Sequence, residues 1–483
     1  MPVAELQGQL IGGERVGALD GERFEVLDPS TGEHIADVPR SKAADVDRAV
    51  AVARAAFADW RRVIPADRGR LLTGVARRLR EQVAEIARLG ALDGGLPLPA
   101  VRRDVEATAR YFEYYGGLAD KIGGDVVPLG EGFLDYTERE PFGVCAVILP
   151  FNSPFQILAR SVAPALAAGN TVVVKAAEQA PLGPLRLAEV LEAEGFPPGV
   201  LNIITGFGGE AGTRLVEHPD VDRITFTGSE ATGRLVMAAA NRNLTPVTLE
   251  LGGKSPHLLF ADADVQTAAE TVVASLVWSA GQVCSAGTRL LVERSVHDQV
   301  VEVVAEKMQA TRVGRALDAP DMGPVITDRQ RTSVLAAIEN AGTHGARLLT
   351  GGTERPDVGG EGFFVAPTAF DQVDPASPLA QEEIFGPVLA VIDFDSELEA
   401  VALANGTRFG LMAAVWTSDV SRAHRVARGI EAGQVFVNTY GAGTGIELPF
   451  GGFKNSGNGR EKGIAGFLAY SQIKNICVKV DPA

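Results

Sequence analysis

Two residues of this chain have the types and the surroundings needed for covalent catalysis. Cys284 lies in Gly-Gln-Val-Cys-Ser-Ala-Gly, where small neighbours leave room for a substrate to reach the sulfur. Glu250 precedes a Gly-Gly pair in Val-Thr-Leu-Glu-Leu-Gly-Gly-Lys. A thiolate can attack a carbonyl carbon, and a carboxylate can then activate the water that removes the acyl group. The pattern predicts thiol chemistry followed by base-assisted hydrolysis; the alternative is that Cys284 is a buried spacer.

The other cysteines, Cys145 and Cys477, lie in apolar runs, where a thiol behaves as a small hydrophobic side chain. We expect both to be structural. The chain has only 3 cysteines, a sparse and odd number that argues against a disulfide framework and fits a reducing compartment. The 6 histidines are scattered, and no pair has the spacing of a metal site, so we expect no bound metal.

Length and composition indicate a large globular chain. Its 483 residues, 46% of them hydrophobic, suffice for about three domains with substantial cores. No apolar run approaches the roughly 18 residues that span a bilayer, and no secretory signal is visible at the start. We therefore expect a cytoplasmic protein without a membrane partner. The net charge of -16 repels phosphate backbones, so no nucleic-acid partner is expected either.

The order of the predicted elements indicates the fold class. Helices are predicted first, over residues 44–60, 65–90 and 104–121. Strands then alternate with helices. The strands are predicted at 142–149, 171–175, 200–204, 223–227 and 247–251, and the helices at 155–168, 182–194, 210–217 and 229–240. Strict alternation predicts a doubly wound α/β architecture with a parallel sheet, in which ligands lie at the carboxyl ends of the strands.

A second alternating block runs from about 257 to 450, after the break at Gly252-Gly253. Cys284 therefore belongs to a different domain from most of the first sheet. Since ligand sites prefer the clefts between domains, we expect the active site to lie between the two.

Three loops at the ends of predicted strands carry polar groups. Lys175 and Glu178 could grip a nucleotide ribose, although a surface ion pair would have the same pattern. Gly228 and Ser229 begin a helix, whose free amides favour a pyrophosphate, but they do not form a Gly-x-Gly-x-x-Gly motif. Asn152 could donate a hydrogen bond to an oxyanion, or could simply form a turn.

Together these segments resemble the aldehyde dehydrogenase superfamily, and the resemblance covers nearly the whole chain. Seven motifs occur in the order found in that family. They are Pro150-Phe-Asn-Ser-Pro154, Val174-Lys-Ala-Ala-Glu178, Phe226-Thr-Gly-Ser229, Leu249-Glu-Leu-Gly-Gly-Lys-Ser255, Gly281-Gln-Val-Cys284, Glu382-Glu-Ile-Phe-Gly-Pro387 and Pro449-Phe-Gly-Gly-Phe-Lys-Asn-Ser-Gly457.

The resemblance implies the reaction and its catalytic residues. Cys284 would attack an aldehyde carbon, and the Asn152 side chain with the Cys284 backbone amide would hold the oxyanion. After hydride transfer to a nicotinamide, Glu250 would activate the water that hydrolyses the thioester. Members that pass the acyl group to coenzyme A generally lack this carboxylate, so a free acid is the expected product. A CoA-acylating enzyme and a non-catalytic protein on the same scaffold remain the alternatives.

The resemblance also implies a cofactor and residues that hold it. Lys175 and Glu178 would bind the adenosine ribose, and Glu383 and Phe385 would position the nicotinamide ribose and ring. Glu178 should accept hydrogen bonds from a ribose 2'-hydroxyl and repel a 2'-phosphate. We therefore expect NAD, with NADP possible.

The substrate pocket departs from the family pattern. Many members have aromatic residues at the positions of Ser153 and Arg160, and a lysine at that of Ser161. We expect Arg160 and Phe450 to contact the substrate, with Arg160 favouring a polar or acidic aldehyde; the alternative is that Arg160 points into a subunit contact. The missing lysine puts in doubt any proton relay that depends on it.

The resemblance further implies the domain organisation. Residues 1–121 and 141–253 would form the dinucleotide-binding domain, and 254–455 the catalytic domain. A small β hairpin within 122–140 and residues 456–483 would be oligomerisation elements, with a strand at 475–480 pairing with the hairpin or with that of a neighbour. Isolated hairpins are marginally stable in water, so a homodimer or homotetramer is expected.

Overall fold

Two large β-sheets, each covered by helices on both faces, make up most of the structure. This computed structural model describes residues 8–442 and 445–481. The helices are α1 (Ala43–Trp60), α2 (Pro65–Glu81), α3 (Val83–Gly94), α4 (Leu98–Leu118), α5 (Pro154–Ala167), α6 (Leu182–Glu194), α7 (Thr213–Glu217), α8 (Glu230–Ala240), α9 (Val265–Val277), α10 (His297–Gln309), α11 (Asp328–Thr343), α12 (Pro378–Gln381), α13 (Glu397–Asn405), α14 (Val420–Gly429) and α15 (Gly463–Leu468).

The strands are distributed over the whole chain. They are β1 (Gln9–Ile11), β2 (Glu14–Val16), β3 (Arg23–Leu27), β4 (His34–Pro39), β5 (Val126–Val127), β6 (Phe133–Pro141), β7 (Val144–Ile148), β8 (Thr171–Lys175), β9 (Leu201–Ile204), β10 (Arg223–Thr227), β11 (Val247–Glu250), β12 (Pro256–Leu259), β13 (Arg289–Glu293), β14 (Arg347–Thr350), β15 (Thr368–Asp371), β16 (Val388–Phe394), β17 (Phe409–Gly410), β18 (Met412–Trp416), β19 (Gln434–Val437), β20 (Phe453–Lys454), β21 (Gly457–Asn458) and β22 (Ser471–Lys479).

The first sheet has the strand order β2-β1-β9-β8-β7-β10-β11-β21. Its five central strands, β9, β8, β7, β10 and β11, are parallel. Strands β1, β2 and β21 pair antiparallel at the two edges. The chain runs from β7 outward to β9 and then returns to the other side of β7. Ligands bind at such reversal points in doubly wound sheets. The predicted α/β fold class is confirmed.

Alternation of buried side chains explains why these strands are covered on both faces. In β8 every residue is buried; Val172 and Val174 face one hydrophobic core, and Val173 faces another. Successive strand side chains point to opposite faces, so an uninterrupted apolar run requires helices on both sides. Helix α5 and the helices near it cover one face, and α1, α7 and α8 cover the other.

Several predicted elements are confirmed to the residue, and others differ. Strands β8 and β10 and helix α6 have the predicted bounds. The single helix predicted over 65–90 is wrong, because the backbone leaves helical geometry at Gln82 (φ -111°, ψ 11°) and separates α2 from α3. The helix predicted at 104–121 begins earlier, after Pro97.

The second sheet has the order β14-β15-β16-β13-β12-β18-β19, with β14 alone antiparallel. The second alternating block is thus confirmed as a sheet of its own. Domain boundaries stay predictions. One part of the segment assigned to oligomerisation, residues 457–458, pairs as β21 with β11 of the first sheet.

A three-stranded sheet of order β22-β6-β5 is formed by the hairpin and the C-terminal strand. The predicted pairing is confirmed, and it is longer than expected, from Ser471 opposite Pro141 to Lys479 opposite Phe133. The structural role expected for Cys477 is wrong, because this strand is mostly exposed and Cys477 with it; Cys145 is buried as expected. None of the described helices is long and apolar enough to cross a membrane.

Candidate active site

One edge of the first sheet gathers most of the predicted polar residues. Lys175 ends β8, Glu250 ends β11, and Asn152 follows β7. Gly228 and Ser229 follow β10, whose last residue is aligned with Glu250. Because the carboxyl ends of parallel strands meet at the same edge, these five residues share one side of the sheet.

The second sheet contributes its residues from the opposite direction. Cys284 precedes β13, and Glu383 and Phe385 precede β16, so all three lie at the amino ends of parallel strands. The chain crosses from β11 to β12 through Gly252-Gly253. There a side chain on Gly253 would place its Cβ 2.6 Å from the Cys284 carbonyl oxygen. Phe151, after β7, and Phe385, before β16, have ring centres 5.8 Å apart, so loops of both sheets meet at the site. The location of the active site in a cleft between domains stays a prediction.

The loop that carries Cys284 is tightly constrained. Ser279 and Ala280 have left-handed backbones (φ 49° and 51°), which L-residues rarely adopt, and Gly281 follows with φ 73°. The Gln282 side chain donates to the Ser279 carbonyl (2.9 Å) and accepts from the backbone N–H of Ile326 (2.9 Å). These contacts fix the path of the chain just before the sulfur.

The electrostatic surroundings of Cys284 hold its thiol in the protonated form. Burial raises the pKa of Cys284 to about 11; the Arg160 guanidinium lowers this pKa, and the Glu383 and Glu250 carboxylates raise it. Gly253, three residues after Glu250, donates its N–H to Glu383 at 3.1 Å and packs against the Cys284 carbonyl, so the loops that carry the thiol and both carboxylates meet here. The thiol must lose its proton to become a nucleophile, so it requires a nearby base.

Glu250 has an unusual environment for a carboxylate. The residue is 1% exposed, and neither side-chain oxygen has a hydrogen-bond partner in the described part of the chain. Burial first, and then the charge of Glu461, raise the pKa of Glu250 well above its ordinary value, whereas Arg160 lowers it. Buried polar groups are nearly always hydrogen-bonded, so an unpaired carboxyl here is suited to hold a water or a substrate proton.

Arg160 and Glu461 form a buried ion pair beside this carboxyl. Arg160 Nε lies 2.5 Å from Glu461 Oε2, at an angle outside hydrogen-bond geometry, and the Ser161 hydroxyl donates to Glu461 Oε1 at 2.8 Å. Arg160 also contacts Thr227 and lies 5.0 Å from the centre of the Phe450 ring. The guanidinium is thus neutralised inside the subunit. Its predicted contact with substrate stays a prediction.

The Asn152 side chain is available as a donor. The residue is 5% exposed, and no hydrogen bond to its amide is formed by the described residues. Its neighbour Ser153 is engaged, donating to Asp104 at 2.7 Å. An unengaged amide at the end of β7 can point to a developing oxyanion, as the sequence predicts.

The residues predicted to hold a dinucleotide lie at the carboxyl ends of β8 to β10. Lys175 Nζ donates to Glu178 at 2.6 Å. The Ser229 side chain caps α8 by accepting from Thr232, which leaves other amides of the first turn free. After β9, a Cβ on Gly208 or Gly209 would meet nothing within 4 Å, so the backbone here is open to a ligand. This glycine-rich turn was not identified from the sequence, although its composition was a usable signal.

Phe385 and Glu383 complete the groove on the side of the second sheet. Phe385 has a left-handed backbone (φ 58°) and packs edge-on against Phe151, with ring centres 5.8 Å apart. Glu383 accepts from the Gly253 N–H at 3.1 Å, and burial raises its pKa to about 7. The roles predicted for these cofactor residues stay predictions.

A cavity of about 770 Å³ opens beside the nucleophile. Ser285, next to Cys284, lines it with Phe450 and Lys462. Arg160 is not among the lining residues. Lys462 and Glu461 were not identified from the sequence; the only signal was the charged run Arg460-Glu461-Lys462 after the closing motif.

Comparisons with known proteins agree with this architecture. The model of the aldehyde dehydrogenase family matches residues 17–476. Human retinal dehydrogenase 2 is 42% identical over 466 residues, which cover 95% of this chain and 89% of that protein. Among solved structures, PnpE of Pseudomonas sp. WBC-3 in complex with nicotinamide adenine dinucleotide has a TM-score of 0.97 and 40% identity, covering 99% of this chain and 98% of the other.

A second solved structure leads to the same family. It is the NAD+ complex of an aldehyde dehydrogenase from Bacillus cereus, with a TM-score of 0.96 and 38% identity, covering 98% of this chain and 96% of the other. The resemblance inferred from the seven motifs is confirmed. This chain belongs to the aldehyde dehydrogenase family.

Proposed function

We propose that this protein oxidises an aldehyde to the carboxylic acid, with NAD as the hydride acceptor and a thioester on Cys284 as the intermediate. The observation that carries the proposal is the buried Glu250 carboxyl, whose two oxygens have no hydrogen-bond partner among the described residues. A carboxyl with a purely structural role would be hydrogen-bonded. A base that must accept a proton from water needs a free lone pair close to the acyl carrier.

In the first half of the reaction, Cys284 releases its proton to solvent water and the thiolate adds to the aldehyde carbon. A carbon–sulfur bond forms, and the carbonyl electron pair moves to oxygen. The Asn152 amide and the Cys284 backbone N–H donate hydrogen bonds to this oxyanion; one such donor is worth about 3 kcal/mol in the barrier. Arg160 favours the thiolate, because its charge lowers the pKa of Cys284.

A bound nicotinamide supplies the acceptor for the hydride that leaves the substrate carbon. As the oxyanion collapses to a carbonyl, the product on sulfur is a thioester. Lys175 and Glu178 would hold the adenosine ribose, and Glu383 the nicotinamide ribose. The carboxylate of Glu178 favours a free 2'-hydroxyl, so NAD is preferred, with NADP as the second choice.

In the second half, Glu250 takes a proton from water while the oxygen adds to the thioester carbon. The carbon–sulfur bond then breaks, the sulfur regains a proton, and the carboxylic acid leaves. Glu250 must be ionised to accept the proton, and its burial beside Glu461 opposes ionisation. Turnover should therefore depend on pH above the ordinary glutamate range.

The proposal is tested by following NADH absorbance with purified protein across aliphatic, aromatic and acidic aldehydes. We expect turnover with the native chain and with Cys477→Ala, which removes an exposed thiol as a matched control. Cys284→Ala should show none. NADH formation that requires coenzyme A would favour the acylating alternative. The absence of NADH with every aldehyde would refute an oxidising role and favour a non-catalytic protein.

We further propose that the three-stranded sheet joins subunits in a homodimer or homotetramer. Strand β22 is its outer strand over nine residues, so one row of its backbone groups is free in the described chain. Ile473, Leu134 and Val126 are 62%, 48% and 75% exposed. A long exposed edge with apolar side chains favours pairing with another chain. Light scattering of the native chain and of Ile473→Lys tests this; a native monomer would contradict it.

A further inference from the structure

Lys462 lines the cavity beside the nucleophile, and no carboxylate of the described residues pairs with it. In the described part of the chain its ammonium forms no hydrogen bond or ion pair; it lies 4.8 Å from the centre of the Phe450 ring. Burial first, and then Arg160, lower the pKa of Lys462 to about 8, so it is mostly protonated at neutral pH. A half-buried charge without a counter-ion is stabilised when an anion binds beside it.

The backbone of Lys462 is also unusual. Its φ of 60° and ψ of 166° lie in a region that is essentially restricted to glycine, at a cost of order 1–3 kcal/mol. The neighbours impose this conformation. Phe450 and Glu461 exchange two backbone hydrogen bonds of 2.8 Å, and the Gly463 N–H donates to the Ile446 carbonyl at 2.7 Å. A glycine would fit here without strain, yet the chain has a lysine, with its ammonium over the Phe450 ring in the cavity.

The other charges near the nucleophile do not neutralise Lys462. Arg160 and Glu461 are already paired with each other. Glu250 forms no hydrogen bond or ion pair with Lys462 in the described part of the chain. A substrate anion beside Lys462 therefore meets a free cation.

Positive charge also predominates in the exposed part of the cavity. Arg102 and Arg103 are exposed lining residues, and Arg103 lies 5.2 Å from the centre of the Trp278 ring. The lining carboxylates are engaged elsewhere. Asp104 accepts from Ser153 and Gln156, and Glu106 lies 3.6 Å from Arg80. The cavity thus offers cations both at its exposed part and beside the thiol.

We propose that Lys462 is a specificity-determining residue that binds the carboxylate of an acidic aldehyde. The inference rests on the proposed function and specifies its substrate class as short oxo acids, with the aldehyde at Cys284 and the carboxylate at Lys462. The chain between the two groups must be short, because Lys462 and Ser285, the residue after Cys284, line the same cavity of about 770 Å³. Arg102 and Arg103 attract the same anion to the cavity.

The test compares succinic semialdehyde with butanal, which has the same number of carbon atoms. We expect the native chain to have the higher kcat/KM with the acid. In Lys462→Met, which keeps the length and removes the charge, the ratio of kcat/KM for acid over alkanal should fall about 10- to 100-fold, chiefly through KM, and Lys462→Arg should restore most of it. Lys307→Met is the control, because Lys307 on α10 is a half-buried lysine that pairs with Glu270 and does not line the cavity; it should leave the ratio unchanged.

A binding measurement separates this inference from the proposed function. Calorimetric titration of succinate into Cys284→Ala should show binding that is lost when Lys462→Met is added. Equal kcat/KM for both aldehydes in the native chain would overturn the proposal. An equal loss of kcat/KM for both aldehydes in Lys462→Met would also overturn the proposal, because the lysine would then act on the Cys284 thiol rather than on the substrate carboxylate. If no aldehyde is oxidised, the proposed function fails, whereas succinate binding that depends on Lys462 would still support the anion site.

Discussion

Replacing Gly281 by alanine should damage both stability and catalysis, since two loops of the site meet at this residue. A Cβ on Gly281 would lie 2.2 Å from the Gly386 carbonyl oxygen and 2.7 Å from the Pro387 nitrogen. Both atoms belong to the backbone, so the clash cannot be relieved by moving a flexible side chain. The methyl also forces a left-handed conformation (φ 73°) on an L-residue, at about 1–2 kcal/mol. Overpacking adds about 1–3 kcal/mol, so the expected loss is about 2–5 kcal/mol.

Catalysis should fall as well, because the strain is relieved by moving Cys284 away from the loop that carries Phe385. A displacement of about 1 Å can cost about 100-fold in rate. Gly345→Ala is the matched control: φ is 80°, and a Cβ there meets nothing within 4 Å. It should lose only the 1–2 kcal/mol of backbone strain, and keep its activity. Urea unfolding and NADH assays compare the two. If Gly281→Ala and Gly345→Ala have the same free energy of unfolding and the same rate of NADH formation, the packing argument is refuted.

Three further substitutions test the proposed roles. Glu250→Gln should give a rapid burst of NADH and then turnover slowed about 100- to 10,000-fold, measured by stopped-flow absorbance; normal turnover would exclude its role as base. Asn152→Ala should lower kcat about 100- to 1,000-fold, and an unchanged kcat would remove it from the oxyanion site. The acidic limb of the pH profile reflects ionisation of Glu250, so Glu461→Gln, which removes a charge that raises this pKa, should move the limb to lower pH; a shift to higher pH would contradict the assignment.

The parallel strands could be predicted because their sequence signals are local. Strand β8 is a short run of β-branched residues, and α6 ends at Gly195, whose left-handed backbone stops the helix. The break at Gln82 could not be predicted, since the apolar spacing continues through it. Strands β1 and β2 have three residues each, too few for a periodic pattern, and their pairing depends on distant β9.

The residues of the candidate site also divide into those with a local sequence signal and those without one. Cys284, Glu250 and Asn152 were identified because each has a local motif. Glu461 and Lys462 were missed because charged residues are usually exposed, and sequence gives no sign of burial. Burial of Glu461 depends on the Ser161 hydroxyl and its neighbour on α5, 300 residues away in the chain.

Arg160 connects the two chemical steps, because it acts on both groups that must lose a proton. Its guanidinium lowers the pKa of Cys284 and that of Glu250. Its partner Glu461 opposes it by raising the pKa of Glu250. Removing Arg160 alone would leave the Glu461 charge buried and unpaired, a change that typically costs 3–5 kcal/mol. Arg160 departs from the family pattern in sequence, and its ion pair with Glu461 inside the subunit supports a role in setting the protonation of nucleophile and base. Its contact with the substrate stays a prediction, and the proposed anion site at Lys462 does not require it.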